Sequence, residues 1–92
     1  MRRYEVTFVV KRPADPAHEG VTHLGGVGWR RSRLEIIESI HMGTAAYFAR
    51  INGRRMDIGI VYAPRGLFLR TFADGAWNDG LMALPERGDA NA

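Results

Sequence analysis

This chain of 92 residues predicts a small single-domain α+β fold, with one helix over residues 32–42 packed on a three-stranded antiparallel meander over 45–51, 54–62 and 67–72. Three observations carry that expectation. An Asn-Gly dipeptide, Asn52-Gly53, sits between two alternating apolar segments, the composition that best supplies the positive-φ pair of a tight hairpin. Ser32 precedes Glu35 by three residues at the head of an apolar-periodic stretch, a capping-box signature. Two-residue periodicity then returns in Leu67 to Phe72 after the turn residues Pro64-Arg65-Gly66.

At the N-terminus, Tyr4, Val6, Phe8 and Val10 alternate with Glu5, Thr7 and Lys11, so one strand is expected from Arg3 to Arg12 with a single buried face. Residues 12–20 hold two prolines and a glycine and predict a mobile loop. Val21 to Leu24 suit a short strand, and Gly25-Gly26-Val27-Gly28 reads as a glycine loop feeding the helix. On that helix Leu34, Ile37, Ile40 and His41 share a stripe with Ile36 beside it, and Gly43 stands where a left-handed cap belongs. A two-residue hairpin loop fixes the register that follows: Ile51 opposite Arg54, Ala49 opposite Met56, Tyr47 opposite Ile58. Those residues with Ile60 form the face assigned to the helix. The other face sets Phe48 opposite Asp57 and Arg50 opposite Arg55. The segment 1–87 is read as one domain, and Gly88 to Ala92 as a disordered end.

Composition narrows function. A domain this short has little room for a deep cleft. The chain has no Cys, which removes thiolate metal sites and Cys nucleophiles and suits a reducing compartment. No apolar run reaches membrane-spanning length and the N-terminus enters strand alternation directly, so a soluble cytoplasmic protein without membrane partner is expected. The net charge is +3, with 12 of the 13 basic residues being Arg. That bias also fits codon usage, so each single Arg carries less information.

The candidate anion or nucleic-acid site is Gly26, Gly28, Arg30, Arg31 and Arg33, because arginines crowded at the positive end of a helix dipole welcome a negative ligand. The competing reading is three solvated arginines. No nucleotide-binding glycine fingerprint is met. Asp74 to Pro85 fails as a calcium loop in register, since Ala76, Asp79 and Pro85 stand where ligand, glycine and bidentate Glu belong. His18, His23 and His41 lie on separate segments, and Ser32, Ser39 and Thr71 have no base in sequence reach. No metal and no cofactor are expected. Arg70 admits two readings: a partly buried ion pair with Asp57 or Asp74, or one wall of a ligand groove completed by Trp77.

The segment Leu67 to Pro85, LFLRTFADGAWNDGLMALP, supplies a resemblance. Phe68-Leu69-Arg70-Thr71, Asp74-Gly75, Asn78 and Leu81 to Pro85 resemble the close of a family of short bacterial proteins known as a domain of unknown function, which has no assigned activity. The similarity covers roughly Val21 to Pro85, and it departs where Asp79-Gly80 replaces a second polar residue before the Leu pair. Three functional expectations follow. The first is a non-catalytic binding module for a polyanion or a protein partner. The second is a small enzyme around Asp57, Arg70 and Asp74, with a histidine that only the fold would bring near. The third is a structural homodimer joined by the face bearing Phe48, Val61, Phe68 and Phe72. Leu81 and Leu84 are expected to clasp the sheet or helix, with Trp77 closing one end of the core.

Overall fold

Between Val6 and Thr7 the chain changes sheets. A computed structural model describes residues 1–12 and 20–87. The Val6 amide donates to the Phe48 carbonyl at 2.8 Å, while the next amide, Thr7, donates to the Gly25 carbonyl at 2.8 Å. The expected single N-terminal strand is therefore two, β1 (Arg2–Glu5) and β2 (Phe8–Lys11), in different sheets. Alternation fails for a physical reason. Val6, Phe8, Val9 and Val10 are all buried, because the segment turns the corner of the core and is covered on both faces.

β3 (Val21–Gly26) and β4 (Trp29–Ser32) complete the first half with α1 (Arg33–His41), and β5 (Ala45–Ile51), β6 (Arg54–Ala63), β7 (Gly66–Ala73) and β8 (Ala76–Asn78) follow. A 3-10 helix (Gly80–Ala83) and β9 (Glu86–Arg87) end the described chain. The strands form two mixed sheets, a five-stranded one ordered β1-β5-β6-β7-β8 and a four-stranded one ordered β4-β3-β2-β9. The α+β class stands, but the expected meander, β5-β6-β7, is only the centre of the larger sheet. β1 joins its edge in parallel with β5, a long-range pairing that no local pattern announces.

The hairpin register is as the turn chemistry dictates: Tyr47 opposite Ile58, Ala49 opposite Met56, Ile51 opposite Arg54. Asn52 and Gly53 both have positive φ, 54° and 75°. Asp74 and Gly75 repeat the device at φ 54° and 79° between β7 and β8. The helix starts as expected. Ser32 accepts from the Glu35 amide, Glu35 accepts from the Ser32 amide, and Gly43 takes a φ of 71° just beyond the helix. Its buried stripe is narrower than expected, however: Ile36 and Ile37 are buried and Ile40 packs beside them, whereas Leu34 is 64% exposed and His41 faces solvent, stacked on Tyr62. Tyr47, Ala49, Ile58 and Leu69 from the large sheet meet Val9, Val21 and Leu24 from the small one around this stripe.

The glycine segment before the helix is not a loop. Gly25 and Gly26 belong to β3, Val27-Gly28 make the turn, and β4 pairs back with Gly26 opposite Trp29. Both strand glycines are close-approach sites. A Cβ on Gly25 would enter the Phe8 ring, and one on Gly26 would fall inside contact distance of the Glu5 carbonyl oxygen and the Trp29 indole nitrogen. The expected mobile loop falls largely on residues 13–19, and the expected disordered end on 88–92, both outside the described residues.

Two outcomes test this account. Gly26→Ala should lower the chemical-denaturation stability by roughly 1–3 kcal/mol, the range for overpacking a tight site, because the backbone it meets cannot swing away. The Glu35 carboxylate is held below its ordinary value, first by the Ser32 amide and then by the Ser32 hydroxyl. Its contribution is thus present above the unfolded Glu value and is lost as pH falls through the lower folded value. Glu35→Gln should flatten the stability profile in that acid window while leaving its shape near neutrality unchanged.

Candidate functional site

Where the edge strand β1 meets the β3–β4 turn, a groove of about 550 Å³ opens on the surface. Its walls include Arg2, Arg3, Tyr4, Glu5, Gly28, Trp29 and Arg31, three arginines to one carboxylate. Trp29 is half-buried and plugs this end of the core, with its ring 5.3 Å from Tyr4 and 5.8 Å from Tyr47. Tyr4 and Tyr47 stack at 5.4 Å because their strands pair in register.

Arg31 is fixed rather than free to sweep. Its guanidinium donates to the Tyr47 hydroxyl at 2.8 Å and to the Tyr4 hydroxyl at 3.0 Å, and lies 4.5 Å from the Tyr4 ring centre. Ser39 donates to the Ile36 carbonyl at 2.8 Å, so the Tyr47 hydroxyl donates onward to Ser39 at 2.8 Å and has its lone pairs left for Arg31. The cation is thereby positioned by neutral phenols, which orient it without an ion pair. Among the described residues no carboxylate lies within ion-pairing distance of Arg2, Arg3 or Arg31. The Tyr4 phenol registers this field: hydrogen bonding to Arg2, foremost, and then to Arg31 holds it below its ordinary value against the opposing effect of burial.

The groove gathers only part of the sequence-derived anion set. Arg31 and Gly28 line it. Gly26 is buried behind it at the sheet corner. Arg30, one residue along the strand, points to the opposite face beside His23, whose imidazole is held low by burial and then by that guanidinium. Arg33 opens the helix itself. Sequence reasoning missed Arg2, Arg3 and Tyr4, since only the β1–β5 pairing brings the N-terminus here.

The second candidate set lies elsewhere. Arg70 is neither paired with Asp57 nor with Asp74: its Nε donates to the Asn78 carbonyl at 3.2 Å and its terminal nitrogen contacts Asp79 at 3.0 Å. Asp57 pairs with Arg55 at 3.7 Å, and Asp74 pairs with Arg54. These carboxylates are occupied separately, Asp57 by Arg55 and Asp74 by Arg54, and of the histidines His18 lies outside the described residues while His41 bonds Tyr62 and His23 bonds Thr22. No cluster of three His, Asp or Glu side chains suited to a metal occurs among the described residues. Trp77 does not close the core. It lies on the outer face of the large sheet, edge-on to Phe72 at 5.3 Å and across Gly59.

The clasp is built from the tail itself. Leu81 is fully buried and Leu84 packs against the core, burial worth about 1.5–3 kcal/mol for the first. Thr71, also fully buried, donates to the Asn78 side-chain oxygen at 2.6 Å and accepts from the Leu81 amide at 3.1 Å. The same Asn78 oxygen accepts from the Gly80 amide at 2.8 Å, which turns the chain into the 3-10 helix. Beyond it, the Val9 amide donates to the Pro85 carbonyl at 2.9 Å and β9 pairs with β2, so the tail ties the large sheet to the small one.

Against known families, residues 5–85 match the model described as "Protein of unknown function (DUF3892)", and the chain belongs to that family. The match extends the resemblance back to Glu5 and so includes most of the corner-turning N-terminal segment. No curated protein and no solved structure matches the chain. No helix of the described residues is long and apolar enough to cross a membrane.

Asn78→Ala removes the side-chain acceptor shared by Thr71 and Gly80; the Thr71 hydroxyl keeps the Asn78 carbonyl at 3.1 Å, while the part-buried Gly80 amide loses its partner, which costs about 1–3 kcal/mol. Urea unfolding should show that loss. Thr71→Val, which removes the hydroxyl but leaves the Leu81 amide unpaired, should cost a comparable amount, and the double variant less than the sum.

Proposed function

We propose that this DUF3892 protein is a small non-catalytic binding module, and that its ligand is a phosphate-type oxyanion held in the groove between β1 and the β3–β4 turn. The observation that carries the reading is the gathering of the Arg2, Arg3 and Arg31 guanidiniums around one groove whose lining holds a single carboxylate, Glu5, itself 4.0 Å from Arg50. Low-dielectric walls of Tyr4 and Trp29 concentrate that field. Arg31 is preorganised by two tyrosines and offers fixed charge, while the exposed Arg2 and Arg3 border the groove from the two faces of the edge strand β1.

The site suits an anion better than a stacked base. One neighbour of the Tyr4 ring is Arg31 and another is Tyr47, so that ring is already occupied by partners of this chain. The enzyme reading finds less support, because Asp57, Arg70 and Asp74 sit in separate pairs on the surface.

An amide chemical-shift titration at low ionic strength tests the proposal. Inorganic phosphate should move the amides of 2–5 and 27–31, and added salt should reverse the shifts as the screening length shrinks. Arg2→Glu combined with Arg3→Glu, both exposed positions, should weaken binding on the order of tenfold or more while preserving the spectrum of the core, each rim charge contributing up to about 1 kcal/mol. Flat shifts with phosphate in the wild-type chain would sink the proposal. Shifts that appear only with a single-stranded oligonucleotide would replace it with a nucleic-acid reading.

A further inference from the structure

We propose that the two phenols holding Arg31 have different roles at the groove: Tyr47, backed by Ser39, positions the guanidinium, and Tyr4 donates its hydroxyl proton to the bound oxyanion. This rests on the anion reading above and adds to it one ligand contact and its support. Counting protons separates the two phenols. Ser39 spends its single proton on the Ile36 carbonyl at 2.8 Å, so in its 2.8 Å contact with Tyr47 the phenol is the donor and Ser39 the acceptor. The Tyr47 oxygen then meets Arg31, at 2.8 Å, as an acceptor only. Its proton is committed inside the molecule, where Tyr47 is 2% exposed.

Tyr4 differs in one respect. Its oxygen also accepts from Arg31, at 3.0 Å, and from Arg2, yet among the described residues its own proton has no acceptor. Tyr4 lines the groove together with both arginines. A phosphate oxygen drawn there by the guanidiniums therefore meets an O–H whose oxygen is already polarised by two cations, which strengthens it as a donor. Tyr47 supports the arrangement from beneath: its ring stacks on Tyr4 at 5.4 Å while its hydroxyl fixes Arg31. Ser39 stands on α1 outside the groove lining and acts on the ligand only through Tyr47 and Arg31, as a positioning residue.

A pH dependence follows from the donor role. The groups facing the Tyr4 hydroxyl are Arg2 on its own strand, Arg31 on β4 and the Tyr47 phenol on β5, and arginine keeps its charge throughout. The hydrogen bond from Arg2, foremost, and that from Arg31 hold Tyr4 below its ordinary value, so its proton is lost on the way up to about pH 10. Ionised Tyr4 has nothing to donate, and its charge engages the arginines and repels the anion. Affinity therefore falls as pH rises through the Tyr4 value.

Phosphate titrations of the full chain test this, read from backbone carbonyl carbon shifts of 2–5 and 27–31 and run from above the second ionisation of phosphate to about pH 10. Tyr4→Phe keeps the ring and should bind about tenfold more weakly at the low end of the range, the worth of one hydrogen bond to a charged group. The gap from the wild type should close as pH rises; the Met1 amine and the Tyr47 phenol are common to both chains, so the difference reports Tyr4. Ser39→Ala should weaken binding severalfold with the core spectrum intact, and Ser39→Thr, which restores a hydroxyl, should recover it. A Tyr4→Phe chain that follows the wild-type profile throughout would overturn the donor role while the anion reading stands. Ser39→Ala binding as tightly as the wild type would overturn the support. Flat shifts in every chain would end the anion reading and this inference with it.

Discussion

The joint at Val6-Thr7 is the constraint on which the rest of the molecule depends. Two successive amides donate to two different sheets, so the chain cannot slide at this point without breaking a bond in each. Everything near it is adapted to close approach. Gly25 leaves space for the Phe8 ring and Gly26 lets β3 pass the Glu5 backbone, as only a residue without a Cβ can. The groove exists because of that crossing: β1 is peeled from the small sheet at the same place where the β3–β4 turn begins. A second tie, from β8 through the 3-10 helix to β9, binds the two sheets at the far end of the chain sequence. The fold is held at two joints rather than by one continuous ladder.

Legibility followed the range of the interactions. Asn52-Gly53 sets a hairpin through its own backbone preferences, and a two-residue loop leaves one register, so the β5–β6 pairs could be read from local chemistry. Ser32 and Glu35 likewise satisfy each other within one turn. The β1–β5 pairing joins residues some forty positions apart in sequence and has no local signature. One signal was available and lost. Val9 interrupts the alternation of Tyr4 to Val10, and an apolar residue on the supposed solvent face announces a segment covered on both sides. Gly25-Gly26 misled for the opposite reason: glycine is the common loop residue, yet in a strand it marks a backbone crossing.

The same distinction governs the candidate sites. Arg30 and Arg31 are neighbours in sequence and look like one cluster when placed before a helix. In a strand, side chains alternate, and the pair is divided between two faces. Arg31 then finds its nearest companion in Arg2, which the sequence sets some thirty residues away, while Arg3 borders the groove from the other face of the edge strand β1. Arg70 illustrates the converse. Its partner Asp79 and the Asn78 carbonyl are both local, delivered by the β7–β8 turn, and the long-range pairs with Asp57 or Asp74 lose to them because those carboxylates have nearer arginines.

In a chain with 12 arginines, number and density say little about function. Pairing says more. An exposed arginine beside a carboxylate contributes at most about 1 kcal/mol and projects little field beyond its partner, so Arg50, Arg55 and Arg70 shape a surface of mixed sign. Arg31 is held by phenols, which orient a guanidinium through hydrogen bonds without forming an ion pair. Two parts of one Arg-rich surface thereby differ in character, a groove edged by arginines that make no ion pair and an aromatic face where Arg50, Arg55 and Arg70 are paired. What separates them is the identity of the acceptor, hydroxyl in one case and carboxylate in the other.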